Sequence, residues 1–471
     1  MADDDTSISQ SAKSADATAW IYDEQGDLTD VFVDSVRAAI ATDDVVLLRS
    51  YNEELHETDL ARLLEALEPD ERTRLIQLLG DDFDFTALTE LDESLRIRIL
   101  EELSPKQVAE GVRDLDSDDA VTLLEDLEPA EQAEILAELP PVERAAVERS
   151  LDYPEDSAGR LMQTEFIAVP PFWSVGQTID YMRDDQDLPD RFHEIFVVSP
   201  TFELLGSVAL DQILRTGRKA RIEEIMGETR HAIAADLDQE EAARLFERYD
   251  LLSAAVVDDG KRLVGVLTID DMVDVIHQEA DEDIKRLAGV GDEELSDSVW
   301  EISKSRFLWL FVNLLTAILA SAVIGIFGVA IEKMVALAVL MPIVASMGGN
   351  AGTQTMTVAV RALATRDIDS YNARRIIFRE ILVGFFNGIV FAVIIGAVAA
   401  LWFGDAQIGG IIGVAMVFNM VSAALAGILI PIVLDHFEID PAVASSVFVT
   451  TVTDVVGFFA FLGLAAWWFA I

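Results

Sequence analysis

The sequence predicts a multidomain membrane protein: an all-α superhelical N-terminal domain, a tandem α/β pair, a connecting helix and an all-α transmembrane domain of five helices. Three observations carry that prediction. A leucine recurs every twelve residues over 55–151, two stretches within 160–278 repeat each other, and five long apolar runs fill the chain beyond residue 303. Repeats of this kind stack short units into one core, and runs of about 20 apolar residues span a bilayer.

Residues 1–40 are polar and without period, and are expected to form a flexible tail. Residues 41–155 read as the superhelix. Leu55, Leu67, Leu79, Leu91, Leu103, Leu115, Leu127, Leu139 and Leu151 keep the period, and an apolar residue stands three before most of them, from Leu64 to Leu136. Glu68-Pro69, Ser104-Pro105, Glu128-Pro129 and Pro140-Pro141 follow the leucines. Proline suits a first helical turn, and Ser104 with Gln107 has capping-box spacing. A generic helical bundle needs no strict period of twelve.

Residues 156–220 and 221–278 form the next two domains. The stretch over 196–214 aligns without gaps on 255–273, an offset of 59. Val197/Val256, Val198/Val257, Leu204/Leu263, Gly206/Gly265 and Asp211/Asp270 coincide. Each copy reads strand, turn, strand, then helix, with the Asp expected at the N-cap. Two βαββα units in tandem resemble a pair of cystathionine-β-synthase (CBS) domains, modules that sense nucleotides or ions. That resemblance admits an adenine nucleotide at the pair. A charged helical stretch over 274–290 follows, and the connecting (plug) helix is expected over 279–302.

The five apolar runs lie near 307–328, 335–360, 381–404, 407–434 and 441–470, within a transmembrane domain of 303–471. Lys304 and Arg306 flank the first, and Arg361, Arg366, Arg374, Arg375 and Arg379 lie between the second and third. By the positive-inside rule the N-terminus is expected in the cytoplasm and the C-terminus outside, in a multi-pass protein of the cell membrane. No apolar segment follows Met1, so no signal peptide is expected.

Charge is divided as sharply as hydropathy. Residues 1–300 hold 74 acidic against 26 basic residues, nearly all of the net −50. Such a surface repels nucleic acid and attracts cations. Lysines number seven against 27 arginines, and acids are scattered over every soluble segment, the pattern of a halophilic cytoplasm. Solvated surface is therefore the default reading of any single acid here. The chain has no cysteine, which excludes disulfides, thiolate metal sites and thiol nucleophiles.

In the apolar half one ionisable residue lies deep inside a run: Asp454, 14 residues past Asp440. That is about 21 Å along a helix, near mid-bilayer. A lone carboxylate there costs on the order of 3 kcal/mol, so it should face water or a partner. Thr450, Thr451 and Thr453 add hydroxyls nearby. In the second run, Pro342 is expected to break the helix, Gly348, Gly349 and Gly352 to permit close approach, and Asn350, Thr353 and Gln354 to offer neutral oxygens. Oxygen donors without Cys, and without His in any run, favour a hard ion such as Mg²⁺ over zinc or copper.

"GGNAGTQ" (348–354), "DPAVAS" (440–445) with "TTVTDVVGF" (450–458), the CBS pair and the acidic "ADEDI" (280–284) together resemble the MgtE family of magnesium channels. The resemblance runs from about Leu55 to the end of the chain. It implies a homodimer with one pore between the subunits, in which Asp454 selects hydrated Mg²⁺. Asn350 and Thr450 are expected to line that pore with Ser446, which together with Val447 departs from the Gly-Pro or Asn-Pro of many relatives. The resemblance also implies that cytoplasmic Mg²⁺ closes the pore by binding Asp238, Glu240, Asp250, Asp271, Asp274, Glu279, Glu282 and Asp283, with Asp440 at the inner mouth.

Two other classes fit these residues less well. An intramembrane aspartyl protease needs two carboxylates in one site, and only Asp454 qualifies, so no enzyme is expected. A membrane-bound CBS sensor without transport leaves the polar residues of the apolar runs unexplained. A carrier for Co²⁺ or Mn²⁺ would use the same residues and differs only in flux with competing ions.

Overall fold

The computed structural model describes residues 20–184, 188–189, 191–228, 231–290, 299–366, 368, 371–437 and 439–470, and divides into two compact units, 1–277 and 278–471. The first opens with α1 (Asp30–Ala41) and α2 (Val45–Asn52). The repeat follows as α3 (Glu57–Ala66), α4 (Pro69–Leu79), α5 (Thr86–Thr89), α6 (Glu93–Glu102), α7 (Pro105–Val112), α8 (Ser117–Leu124), α9 (Pro129–Glu138) and α10 (Pro141–Leu151). All but α5 start in step with the period. The start due at 81 is taken by a 3-10 turn, Gly80–Asp82, where Gly80 has φ +57°.

The period has a backbone cause. The N–H of Leu67, Leu91, Leu103, Leu115, Leu127 and Leu139 donates to the carbonyl three residues before, at 3.2–3.3 Å. The paired apolar residues seen in the sequence are thus the two ends of one closing turn. Pro69, Pro105, Pro129 and Pro141 open the next helix, and Ser104 with Gln107 forms the capping box. Helices of this length are marginal alone. They hold because each packs on the helix two places along the chain, and a fully buried leucine contributes about 1.5–3 kcal/mol.

The tail expected over 1–40 is a correction, because the chain is folded from Trp20. Ile21, Phe32 and Val36 are buried, and Trp20, Phe32 and Tyr51 meet edge to face at 5.1–5.5 Å. Phe32, Val33, Val36, Ala39 and Ile40 form an apolar helical face that the surrounding acids obscure. Residues 1–19 lie outside the described residues.

The tandem pair holds two three-stranded sheets, β1 (Ala168–Val169), β2 (Glu194–Val198), β3 (Leu204–Ala209) and β4 (Ile233–Ala234), β5 (Ser253–Val257), β6 (Leu263–Thr268), each with its first two strands parallel and its last two antiparallel. Helices α12 (Val175–Asp184) and α15 (Gln239–Tyr249) follow the first strand of each copy; α13 (Leu210–Arg215) and α16 (Ile269–Leu287) follow the last. The repeat extends to irregularities: the register shifts after Val197 and after Val256, and Phe202 and Lys261 both have positive φ. Leu204 N–H donates to Lys261 O at 3.0 Å and Leu263 N–H to Phe202 O at 2.9 Å, so the copies join through equivalent turns.

Two details differ from expectation. Asp211 and Asp270 lie one residue inside their helices rather than at the N-cap, and Ala209 caps α13. The boundary at 220/221 is crossed both ways. The short helix α11 (Ala158–Leu161) joins the core of the second copy, while α14 (Ile222–Ile225) joins that of the first.

The second unit contains α17 (Val299–Ile326), the short α18 (Gly328–Lys333), α19 (Val335–Ala364), α20 (Ala373–Phe403), α21 (Ala406–His436) and α22 (Pro441–Trp468). Among the described residues five helices are long and apolar enough to cross a membrane: all of these except α18. Helix α21 is the hub, packed against α19, α20 and α22, whereas α17 leans chiefly on α22 and leaves Phe307, Leu310, Leu314 and Ile318 exposed. The separate connecting helix expected over 279–302 is also corrected. The helix is the continuation of α16, ends at Leu287, and turns at Gly289 with φ +74°; residues 291–298 lie outside the described residues.

Candidate functional site

On α22, Ser446, Thr450 and Asp454 fall at i, i+4 and i+8 and so share one helical face. Asp454 and Ser446 are half-buried, and Thr450 is exposed within this single chain. Thr450 Oγ1 donates to Ser446 O at 2.9 Å and Thr451 Oγ1 to Val447 O at 2.6 Å. These hydroxyls spend their hydrogens on their own helix and keep lone pairs free, which suits a cation path better than an anion path. Thr453 is fully buried and packs toward Gly352, off the stripe.

Helix α19 lies against α22. A Cβ on Gly352 would stand 2.6 Å from Val449 Cγ1, so this glycine is there for close approach. Asn350, Thr353, Gln354 and Thr357 are exposed on the same helix. The break expected at Pro342 is a correction: α19 runs unbroken through it. Proline removes one N–H and crowds one turn, which neighbouring helices can compensate at membrane depth. The residue missed from sequence is Asn419 of α21, completely buried, whose Nδ2 donates to Val344 O at 2.6 Å.

At the start of α22, Asp440 is the N-cap and accepts from Ala442 N–H at 2.7 Å. A guanidinium also holds it: Arg286 Nη1 lies 2.7 Å from Asp440 Oδ2. Arg286 pairs at the same time with Glu282, one turn earlier on α16. Beside it, Leu287 packs with Met356, Val360, Ala442 and Val449. Two of the expected metal ligands, Glu282 and Asp440, thus share one tethered cation. Glu279 and Asp283 lie four residues apart on the same helix.

In the first unit the expected ligands separate. Asp238 caps α15, accepting from Glu240 N–H at 3.0 Å; Glu240 pairs with Arg244; Asp250 ends the helix in the left-handed region. These are helix-terminal roles within the copy. Asp271 differs. It accepts from Thr268 Oγ1 at 2.5 Å, and it faces two acids of the superhelix, Asp118 and Asp119 of α8, which sequence reasoning did not select. Asp118 is 7% exposed and one of its carboxylate oxygens has no hydrogen-bond partner among the described residues.

Burial, then the neighbouring Asp271, pushes the Asp119 carboxyl up to about 7. Burial pushes Asp271 up to about 6, with Asp270 and Asp274 adding to it. Asp118 rises well above the carboxylate range for the same reasons, burial first and Asp271 next. Asp274 is raised by burial, and it in turn raises Glu90, whose own burial is the larger cause. A segment of backbone holds this arrangement together: Gln163 exchanges hydrogen bonds with Val266 at 2.8 and 2.9 Å, and Thr164 N–H donates to Ser117 Oγ at 2.7 Å. Among the described residues no three His, Asp or Glu side chains converge on one point close enough to hold an ion. What the site offers is like charge pressed together, which a proton or a dication would relieve.

Over 322 residues, 68% of this chain and 71% of the relative, the sequence is 32% identical to the magnesium transporter MgtE of Bacillus subtilis (strain 168). The chain belongs to the MgtE family. Against the magnesium transporter MgtE of Thermus thermophilus it is 34% identical over 326 residues, with the same coverage. Three family models fall along the chain: the MgtE intracellular N domain at 55–156, a CBS domain at 222–278, and MgtE, divalent cation transporter, at 341–464. The last holds Asn350, Asn419, Asp440 and Asp454. A crystal structure of the cytosolic domain of the Mg²⁺ channel MgtE in complex with ATP matches 52% of the chain and 99% of its own, at 31% identity and TM-score 0.49.

Proposed function

We propose that this chain carries Mg²⁺ across the cell membrane past Asp454, and that Mg²⁺ on the side of the soluble unit closes the path. The observation that carries the reading is the Ser446–Thr450–Asp454 stripe, one carboxylate among hydroxyls on a helix otherwise apolar enough to cross the membrane. Mg²⁺ sheds its water reluctantly, so a carboxylate with neutral oxygens suits a largely hydrated ion. The family relatives named as magnesium transporters support the ion's identity.

In this reading the chain is a homodimer with its N-terminus in the cytoplasm and C-terminus outside. Two-fold symmetry brings two copies of Asp454 to one axis, which doubles the charge offered to a dication. Closure uses acids whose repulsion a dication relieves: Asp118, Asp119 and Asp271 in the soluble unit, and Glu282 with Asp440 at the inner mouth. At the mouth Mg²⁺ must displace Arg286, so the tethered guanidinium sets the Mg²⁺ level at which that site fills. A ligand moves such an equilibrium only by its differential affinity for the two states.

The test is Mg²⁺ uptake by liposomes holding the purified full-length chain, with Co²⁺ and Mn²⁺ as competitors. Uptake that Mg²⁺ dominates and that Asp454→Asn lowers about a hundredfold is expected. A wild-type chain that moves no dication would instead leave a membrane-bound sensor.

A further inference from the structure

Among the described residues of the membrane unit, Asn419 and Thr453 are the buried polar side chains. Thr453 satisfies its hydroxyl on its own helix, donating to Thr450 O at 2.9 Å. Asn419 reaches across instead. Its Nδ2 donates to Val344 O of α19, and its Oδ1 accepts no N–H or O–H among the described residues. Two glycines from different helices make room for the amide. A Cβ on Gly348 of α19 would lie 2.4 Å from Asn419 Nδ2, and one on Gly457 of α22 would lie 2.8 Å from Asn419 Oδ1. The bare Cα of Gly457 therefore turns a C–H toward the oxygen, a weak donor that fits this geometry.

The position gives the contact its meaning. Gly348 is two residues before Asn350, and Gly457 is three residues, about one turn, past Asp454. The amide of α21 thus touches the helix that carries Asn350 and the helix that carries Asp454, close to both. An apolar side chain would pack the same three helices without direction, since lipid and leucine are alike to a helix in a membrane. An amide bonded to one carbonyl and seated between two glycines allows one register.

We propose that Asn419 is a positioning residue for ion selection: its amide keys α19 and α22 to the hub helix α21 and so fixes the spacing between Asn350 and Asp454. The proposal rests on the transport reading above and adds a residue that touches no ion. Selection between dications of different size needs oxygens held to about 0.5 Å, a precision that a directional bond supplies and packing alone does not.

The test uses the full-length chain in liposomes and compares two replacements. Asn419→Ala with Gly457→Ala refills much of the space but removes the amide; Asn419→Asp keeps the shape and, protonated in this buried apolar setting, an O–H donor for Val344 O. The readouts are the uptake preference for Mg²⁺ over Ca²⁺, and the distance between spin labels on Val358→Cys and Phe448→Cys, two exposed positions in a chain without native cysteine. The Ala pair is expected to lose about tenfold in preference, the scale of one interhelical hydrogen bond, and to broaden the distance distribution. The Asp variant should keep its preference within about threefold and its distribution narrow. An Ala pair with wild-type preference and a narrow distribution overturns the proposal, as does an Asp variant that loses about tenfold or more with a broadened distribution. Should the Ala pair not fold, the Asp arm decides alone. Absence of Mg²⁺ uptake by the wild type would strike the transport reading, while the spin-label distances still judge Asn419.

Discussion

The two units treat a carboxylate in opposite ways. In the soluble unit acids are the background, and position in the fold alone separates Asp118, Asp119 and Asp271 from dozens that face water. In the membrane unit a carboxylate is the exception, and Asp454 stands out before any fold is known. Where a residue type is costly, its presence informs; where it is cheap, only its burial and neighbours do.

The largest effect is expected at the costly site. A carboxylate kept at membrane depth for about 3 kcal/mol can return roughly a hundredfold in cation affinity. Asp454→Asn should therefore lower Mg²⁺ uptake by about that factor while leaving the protein's elution unchanged and its thermal stability no lower. Wild-type uptake in this variant would erase the contrast between the units.

The next effect belongs to the buried acids of the soluble unit. A carboxyl raised by folding binds its proton more tightly in the native state. Its native form is favoured below about pH 4 and loses that advantage as pH rises through the folded value. With Asp271 at about 6 and Asp119 at about 7, the loss falls between about pH 4 and 7. Without dications the Tm of the soluble transition should fall by on the order of 5 °C between pH 5 and 7.5. Mg²⁺ should restore more of it at pH 7.5 than at pH 5. Asp118→Asn with Asp119→Asn and Asp271→Asn should flatten both dependences and raise the Mg²⁺ needed for closure. A pH slope that survives the triple replacement would place the sensor elsewhere.

A smaller shift is expected at the inner mouth. Arg286→Ala frees Glu282 and Asp440 for a dication, so half-maximal closure should move to about threefold lower Mg²⁺, as removal of one partly exposed ion pair allows. Movement to higher Mg²⁺ would make Arg286 the closing group itself. The smallest effect is none: neutralising the exposed Glu134, Glu247 and Asp259 together should leave closure where it was. Equal shifts from this set and from the buried acids would reduce the soluble acid to a halophilic surface.

These contrasts also explain what was legible in the sequence. The twelve-residue period was readable because at six of the leucines one hydrogen bond, to the residue three before, closes the helix. Helix α1 was not, since Phe32 and Val36 sit among acids that lower the average on which a tail is judged. The crossed boundary of the CBS pair hides because α11 and α14 are near the seam in sequence and exchange partners only in space. Asp118-Asp119 fall under the default of solvated surface, and in the first turn of α8 acids are common for reasons of their own. Docking of the 163–165 segment on both Ser117 and Val266 brings α8 to the second copy, where Asp118 and Asp119 lie near Asp271, a neighbour fixed only in space. Asn419 carried a signal that was available: an amide inside an apolar run, less conspicuous than a charge and for that reason passed over.

One measurement bears on the whole account: dication current through excised membrane patches holding the full-length chain, with Mg²⁺ stepped on the face that carries the soluble unit. A Mg²⁺ current is expected that is present without Mg²⁺ on that face, falls steeply as it is added, and drops about a hundredfold in Asp454→Asn. A wild-type current indifferent to Mg²⁺ on that face, or unchanged by Asp454→Asn, would contradict it.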